Sequence, residues 1–243
     1  MKLNNHLRLI LSDVYVYDIE ACHYTILKNM GFDLSNIDPS DKLGRNIEIG
    51  KMMRDNPRIT SLLRTTTNSL IDDYINENNI KENEIVIRQY DGILLTKKLH
   101  TTNIGHIPLD LRKTFDTFIS SINRDMYIAL DNKNNVTAKG ISHLYDEMKE
   151  IYKKICKVVE MNKSSRFKHL QRIKDDFFTV DNPNLFGIPI KDKKFNVFLI
   201  GYGELEISKS TLKIMDCDDI DRNQYFKHYI EPFTKSIVFE SVR

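Results

Sequence analysis

Two aspartates stand at or near the ends of apolar runs. Asp18 closes Val14-Tyr15-Val16-Tyr17, and Asp91 lies within Glu84-Ile85-Val86-Ile87-Arg88-Gln89-Tyr90-Asp91-Gly92-Ile93-Leu94-Leu95. Carboxylates on neighbouring strands can hold divalent metal ions. Two such ions can activate an attacking oxygen and stabilise a leaving oxygen in phosphoryl transfer. Each aspartate also has a plain structural use. Asp18 can cap the helix that follows it, and Asp91-Gly92 between apolar residues is a strong turn signal. Glu20 points to the opposite side if the first strand continues through it.

Cations lie between and beyond these acids. Arg45, Lys51, Arg54, Arg58 and Arg64 fall between the two aspartates. A triphosphate needs positive charge, and arginine can bind its oxygens in pairs. Lys51 and Arg54 share a helix face, and Arg64 precedes Asn68-Ser69-Leu70. The densest basic segment holds Lys163, Arg166, Lys168, His169, Arg172 and Lys174. Such side chains can grip a duplex through its phosphates without reading its sequence. For both groups the alternative is a solvated helix face, and Asp175 and Asp176 partly balance the second. The histidines lack metal-ligand spacing. Gly201-Tyr202-Gly203 falls short of a dinucleotide fingerprint or a phosphate loop, and no nucleophile elbow is present.

The elements that must position these groups follow from periodicity and breakers. Residues 8–19 predict a strand. Residues 20–31 predict a turn and a short helix closed by Gly31. Residues 33–44 carry loop and cap types. Residues 45–79 predict helix with a break at Asn56-Pro57, and Leu62, Leu63, Leu70, Ile71, Tyr74 and Ile75 form its buried stripe. Residues 84–96 predict a second strand and 108–122 a helix. Residues 125–130 and 135–139 predict a hairpin around Asp131-Asn132-Lys133-Asn134. Residues 142–176 predict helix, Asp181-Asn182-Pro183-Asn184 a turn, 195–201 a short strand, and 221–241 a closing helix. A composition change near residue 140 separates a mixed α/β part from a mainly helical one.

These segments resemble a shortened palm and thumb of a family B DNA polymerase. Val16-Tyr17-Asp18-Ile19-Glu20-Ala21-Cys22-His23-Tyr24-Thr25-Ile26-Leu27 resembles the first palm motif, Asp-x-x-Ser-Leu-Tyr-Pro-Ser-Ile. Asp18 takes the place of the metal-binding aspartate. The family tyrosine beneath the sugar falls on His23, or on Tyr24 after a one-residue shift. Val86-Ile87-Arg88-Gln89-Tyr90-Asp91-Gly92 resembles the second metal motif, Tyr-Gly-Asp-Thr-Asp-Ser, with Asp91 on its second aspartate and Gln89 on its first. A family A strand of His-Asp-Glu type also fits Asp91. Met126–Leu130 and Val136–Ile141 resemble the strands leading from palm to thumb, and Lys139 matches the lysine near the primer terminus. Asp221–Pro232 resembles a thumb helix of pattern Asp-x-x-Tyr-Tyr-Ile.

The resemblance implies an α+β fold: an antiparallel palm over residues 1–140 with a short fingers insertion at about 45–79, then a helical thumb over 141–243. It implies template-directed nucleotidyl transfer with Asp18 and Asp91 holding Mg2+ or Mn2+. Lys51, Arg54 and Arg64, with His23 and Tyr24, would bind the nucleoside triphosphate. Lys139, Lys163, Arg166, Lys168 and Arg172 would hold the primer–template, and replication-accessory proteins are further expected partners. Other readings stay open: a polymerase-like nucleic-acid-binding subunit without activity, which Gln89 favours; a template-independent or priming transferase; and an interaction domain in which both aspartates are turn residues.

Bulk properties fit this frame without demanding it. The 243 residues suit one large domain or two small ones,. The chain is 41% hydrophobic and 29% charged, as in globular proteins,. The net charge of +2 makes local patches the relevant quantity for a polyanionic partner,. Cys22, Cys156 and Cys217 form neither a CxxC pair nor a zinc spacing, which predicts reduced thiols,. No segment approaches the roughly 20 apolar residues of a membrane span, and Met1-Lys2-Leu3-Asn4-Asn5-His6 lacks the features of a signal peptide,. The expected location is cytoplasmic, or host cytoplasm for a phage-encoded chain. The compact form suggests a phage or mobile-element source.

Overall fold

Val14–Asp18 is rich in β-branched and aromatic residues, types that fit a pleated, half-buried surface. It forms strand β2, separated from the short strand β1 (Ile10–Leu11) by Asp13 in a left-handed conformation, φ 54°. The single predicted strand over 8–19 is therefore two. The computed structural model describes residues 3–141, 146–179, 196–199, 203–206 and 225–242. Contacts divide the chain into two units, one holding the chain up to Leu7 with Leu11–Asp116, the other Arg8–Ile10 and the chain from Thr117 on. The fold is α+β with an antiparallel sheet, as the sequence implies.

In the first unit β2 lies between β4 (Gly92–Leu95) and β7 (Asp110–Ser120), and β3 (Ile85–Arg88) borders β4. Three helices accompany these strands: α1 (Cys22–Asn29), α2 (Lys42–Asp55) and α3 (Pro57–Glu77). Their ends obey local chemistry. The Asp41 carboxylate accepts from the amides of Leu43 and Gly44, both at 3.0 Å, and starts α2,. Asn56 accepts from the Arg58 amide at 3.1 Å, and Pro57 supplies a preset φ at the first position of α3,. The predicted break thus falls where the sequence puts it. Helix α3 buries Ile59, Leu63, Thr67, Leu70, Ile71 and Tyr74, a stripe of helical period, against Tyr17, Ile26, Leu27 and Ile93,. A small strand pair, β5 (Asn103–Ile104) and β6 (Ile107–Pro108), completes this unit.

Two predictions need correction here. The strand expected over 84–96 is a hairpin, β3 and β4, turning at Gln89-Tyr90-Asp91. The chain does turn before β4, but the central residues are Tyr90 and Asp91 and Gly92 already opens the strand, so this is not the Asp-Gly turn that the dipeptide signals,. The helix expected over 108–122 is the long strand β7. Thr117–Ser120 are all buried, so the run lacks the polar alternation that marks a half-exposed strand. A short buried run is ambiguous by period, and the β-branched and aromatic residues Thr114, Phe115, Thr117, Phe118 and Ile119 were the better guide.

In the second unit β8 (Tyr127–Asp131) and β9 (Val136–Lys139) form the predicted hairpin, with Tyr127 opposite Lys139 and Leu130 opposite Val136. The Asp131 carboxylate fixes its turn by accepting from the amides of Lys133 at 2.9 Å and Asn135 at 2.8 Å,. Helices α4 (Asp146–Val158), α5 (Lys163–Thr179) and α6 (Glu231–Val242) bury Met148, Tyr152, Ile155, Phe177, Phe233 and Ile237 around Ile128 and Leu130. A π-helical turn, Phe226–Ile230, leads into α6. Strands β10 (Asn196–Leu199) and β11 (Gly203–Glu206) pair with each other. The division between units falls inside β7, earlier than the composition change near residue 140, because the β8–β9 hairpin packs on α4. The expected turn at 181–184, Gly201-Tyr202, Cys217 and the start of the expected closing helix lie outside the described residues. Among the described residues no helix is long and apolar enough to cross a membrane.

Candidate functional site

The antiparallel register of β2 and β4 sets Asp18 opposite Gly92, so the hairpin residue Asp91 arrives beside Asp18. Backbone bonds fix this meeting. The Ile19 amide donates to the Asp91 carbonyl at 2.8 Å, and the Gln89 amide donates to the Gly92 carbonyl at 3.0 Å. Gly92 permits it. A Cβ there would lie 2.3 Å from the Tyr17 carbonyl oxygen and 3.2 Å from Asp18 Oδ1. On its other side Asp18 faces Asp110 of β7.

Arg112 enters by a bulge. Val16 pairs with Lys113 and Tyr17 with Leu111, so Arg112 is the extra residue of β7. Bulges bend a strand and re-aim side chains, often beside active sites. Arg112 Nη2 lies 3.5 Å from Glu20 Oε2 and 3.8 Å from Asp110 Oδ2.

Beyond Asp18 the chain turns at Ala21, φ 49°, into α1, which carries His23 and Tyr24. His23 Nε2 lies 3.3 Å from the Tyr90 hydroxyl, and the two rings meet edge to face with centroids 5.5 Å apart,. Helix α2 supplies the far wall through Lys42, Arg45, Asn46, Ile49, Gly50 and Met53, all on one helical face,. The result is a cleft of about 700 Å³ with Asp18, Asp91 and Arg112 on the sheet side.

The electrostatics follow from this crowding. Burial and then the neighbouring Asp91 charge push the Asp18 carboxyl above its ordinary value. Arg112 opposes the shift, Asp110 adds to it, and the Ile19 amide opposes it,. His23 is pushed down by burial, against the pull of Asp91. Cys22 adjoins the cleft with its thiol pushed up to about 11, chiefly by burial. It is an uncharged, hydrogen-bonded neighbour of Thr67 rather than a nucleophile,. Among the described residues no group of three or more His, Cys, Asp or Glu could share a metal ion.

The structure brings Asp18, Asp91, His23 and Tyr24 to one cleft. Lys51, Arg54 and Arg64 do not line it. Lys51 pairs with Glu48 at 2.6 Å and Arg54 with Asp55 at 3.1 Å, on another face of α2, while Arg64 is exposed on α3. Helical period is the reason. Positions 42, 45, 46, 49, 50 and 53 share a face that 51 and 54 do not. Arg45 belongs to the cleft. Lys42, Asn46 and Arg112 are cleft residues outside the predicted set: Lys42 falls in the predicted loop over 33–44 and Arg112 in the predicted helix over 108–122. Asp41 ahead of a helical run was the signal for starting α2 earlier.

The basic residues of the second unit separate into two kinds. Lys139 ends β9, Lys163 opens α5, and Lys168 and Arg172 lie four apart on α5, all exposed. Arg166 is a brace instead. Its guanidinium donates to the Met161 carbonyl and Ser241 Oγ, both at 3.1 Å, and to the Val159 carbonyl, tying the α4–α5 link to α6.

Comparisons with known proteins bear on the whole chain. Residues 3–213 match the family described as Bacteriophage PBS1 gene 130 protein. No curated protein matches the sequence. Among solved structures, the family B DNA polymerase from the hyperthermophilic archaeon Pyrobaculum calidifontis is similar, with a TM-score of 0.51 and 9% identity over 98% of this chain and 46% of that one. The chain therefore spans about half the length of that polymerase. At this identity the likeness is one of fold.

Proposed function

The chain belongs to the bacteriophage PBS1 gene 130 protein family, and from that premise we propose that it is a template-directed nucleotidyltransferase, a small DNA polymerase. One observation carries the reading. Asp18 and Asp91, far apart in sequence, come together in a cleft that α2 lines with Lys42 and Arg45 among other residues. The likeness in fold to a family B DNA polymerase supports it.

The donor set suits a small hard cation. Mg2+ binds through one or two carboxylates and completes its shell with water and substrate phosphates. Asp18, its carboxyl pushed up by burial and then by the neighbouring Asp91 charge, forms such a pair with Asp91,. Mg2+ or Mn2+ held there would make the primer 3′-hydroxyl more acidic and offset charge on the departing pyrophosphate. Asp18 and Asp91 would hold the ions. Lys42 and Arg45 offset triphosphate charge from α2,. His23, kept in place by Tyr90, and Tyr24 face the sugar. Lys139, Lys163, Lys168 and Arg172 contact the primer–template backbone, and the partners of the reaction are primer–template nucleic acid and nucleoside triphosphates. Processivity comes from replication-accessory proteins.

Primer extension on defined templates with Mg2+ or Mn2+ tests this. Asp18→Asn and Asp91→Asn should each abolish incorporation while leaving the fold intact, and undiminished extension by either contradicts the assignment. A second reading is a nucleic-acid-binding subunit without activity. Gln89 favours it, because an amide occupies the place of a family aspartate in the β3–β4 turn. Duplex binding without metal-dependent incorporation, under every nucleotide set and with or without template, would select that reading over both templated and untemplated transfer.

A further inference from the structure

The bulge in β7 brings Arg112 to the cleft. The side chain is 38% exposed, and its guanidinium makes two ion pairs, at 3.5 and 3.8 Å, and no hydrogen bond among the described residues. Charge-assisted hydrogen bonds are shorter, about 2.7–2.9 Å. Both ion pairs fall on the single nitrogen Nη2, so the planar fork is not engaged by either carboxylate. An arginine re-aimed into a cleft with unused donors is poised for a ligand that takes two of them at once. Phosphate oxygens do this. Lys42 and Arg45 line the same cleft from α2.

We infer that Arg112 binds the triphosphate of the incoming nucleotide and that Glu20 competes with that phosphate for its guanidinium. The inference rests on the proposed nucleotidyl transfer and adds to it a cation on the sheet and an acid that opposes binding. Glu20 is suited to release. Its side chain is 67% exposed, and its hold on Arg112 is loose and water-screened,. Asp110 is a weaker rival still, at 3.8 Å and already opposite Asp18. A polyphosphate carries more charge and more acceptor oxygens than either carboxylate. The phosphate is assigned to the triphosphate rather than to a phosphodiester backbone because Arg112 lies in the cleft of the acid pair, where the reacting end of a nucleotide would sit.

Calorimetric titration of the full chain with inorganic tripolyphosphate in Mg2+ tests the inference without relying on turnover. Arg112→Gln should weaken binding about tenfold or more, the loss expected for a charged hydrogen-bonding group. Arg112→Lys should recover part of it. Glu20→Gln should tighten binding by up to about fivefold, the scale of an exposed ion pair, and should have no effect when Arg112 is already Gln. Wild-type affinity in both Arg112→Gln and Glu20→Gln overturns the inference. So does a loss confined to a single-stranded oligonucleotide lacking terminal phosphates, which would put the contact on the backbone. Asp18→Asn run in parallel separates the two claims. If it abolishes the Mg2+ dependence while the Arg112 and Glu20 variants bind normally, the acid pair stands and the Arg112 role falls. If it leaves Mg2+ dependence unchanged, the nucleotidyl-transfer reading itself falls. Circular dichroism melts check folding, and Glu20→Gln, altering one exposed side chain, keeps the test alive if an Arg112 variant misfolds.

Discussion

Gly92 and Asp18 approach so closely that a methyl group on the glycine would stand 3.2 Å from the aspartate's Oδ1 and 2.3 Å from the carbonyl oxygen of Tyr17. The missing side chain lets β4 deliver Asp91 next to Asp18. Gly92→Ala must push the two strands apart or distort the turn. Overpacking of this kind costs about 1–3 kcal/mol, or a fall of about 2–12 °C in Tm for a chain of this size. Thermal melts with and without Mg2+ check it. The variant should lose stability in chelator and also lose any stabilisation that Mg2+ gives the wild type.

Asp18 makes a pH prediction with a definite sign. Its carboxyl is raised by burial and by Asp91, with Asp110 adding and Arg112 and the Ile19 amide opposing. A group raised on folding binds more protons in the native state than in the unfolded one. Its stabilising contribution is therefore full below the unfolded carboxylate pKa and is lost as pH rises through the folded value. Asp18→Asn removes this loss. In chelator at neutral pH the variant should be as stable as the wild type or more so. The difference between them should shrink or reverse toward pH 4, as read by urea melts across that range. A large destabilisation at neutral pH would mean that Asp18 is chiefly structural. The same substitution should abolish incorporation, so stability and activity move in opposite directions.

Much of this architecture was legible in the sequence, and the failures have physical reasons. The break at Asn56-Pro57, the α3 stripe and the β8–β9 hairpin were readable because each rests on local chemistry: a preset φ, a helical period, a turn side chain bonding its own backbone. The convergence of Asp18 and Asp91 was readable only as an expectation from resemblance, since strand partners are set by tertiary packing. Arg112 was out of reach. Its place depends on a register slip between β2 and β7, and a bulge leaves no mark in composition,.

Arg166 and its neighbours on α5 should divide by experiment as they do by geometry. Arg166→Ala removes donors from two carbonyls and Ser241 Oγ, and it should cost about 2 kcal/mol of stability,. Lys168→Ala and Arg172→Ala touch exposed side chains and should change stability by less than about 0.5 kcal/mol. If α5 contacts nucleic-acid phosphates, each of the latter two lowers the salt dependence of duplex binding by about one unit of slope and weakens all sequences alike. Salt titrations of duplex binding, with denaturant melts alongside, distinguish the brace from the contacts.

The two faces of α2 give the last prediction. The spacing of Lys51 and Arg54, three apart, suits a phosphate, but each pairs with a neighbouring acid, Glu48 and Asp55, away from the cleft. Arg45 lies in the cleft, with a guanidinium nitrogen 2.5 Å from the Pro39 carbonyl, which holds it close to the start of the helix. That bond uses one edge of the fork and leaves others for a ligand. Lys51→Ala and Arg54→Ala should therefore leave tripolyphosphate affinity within about twofold of wild type, as expected for exposed ion pairs. Arg45→Ala should lower it by about tenfold, the effect of removing a charged donor from a half-buried site. The reverse ranking would mean that α2 presents its other face to the substrate, and that the cleft beside Asp18 and Asp91 does not hold the phosphates.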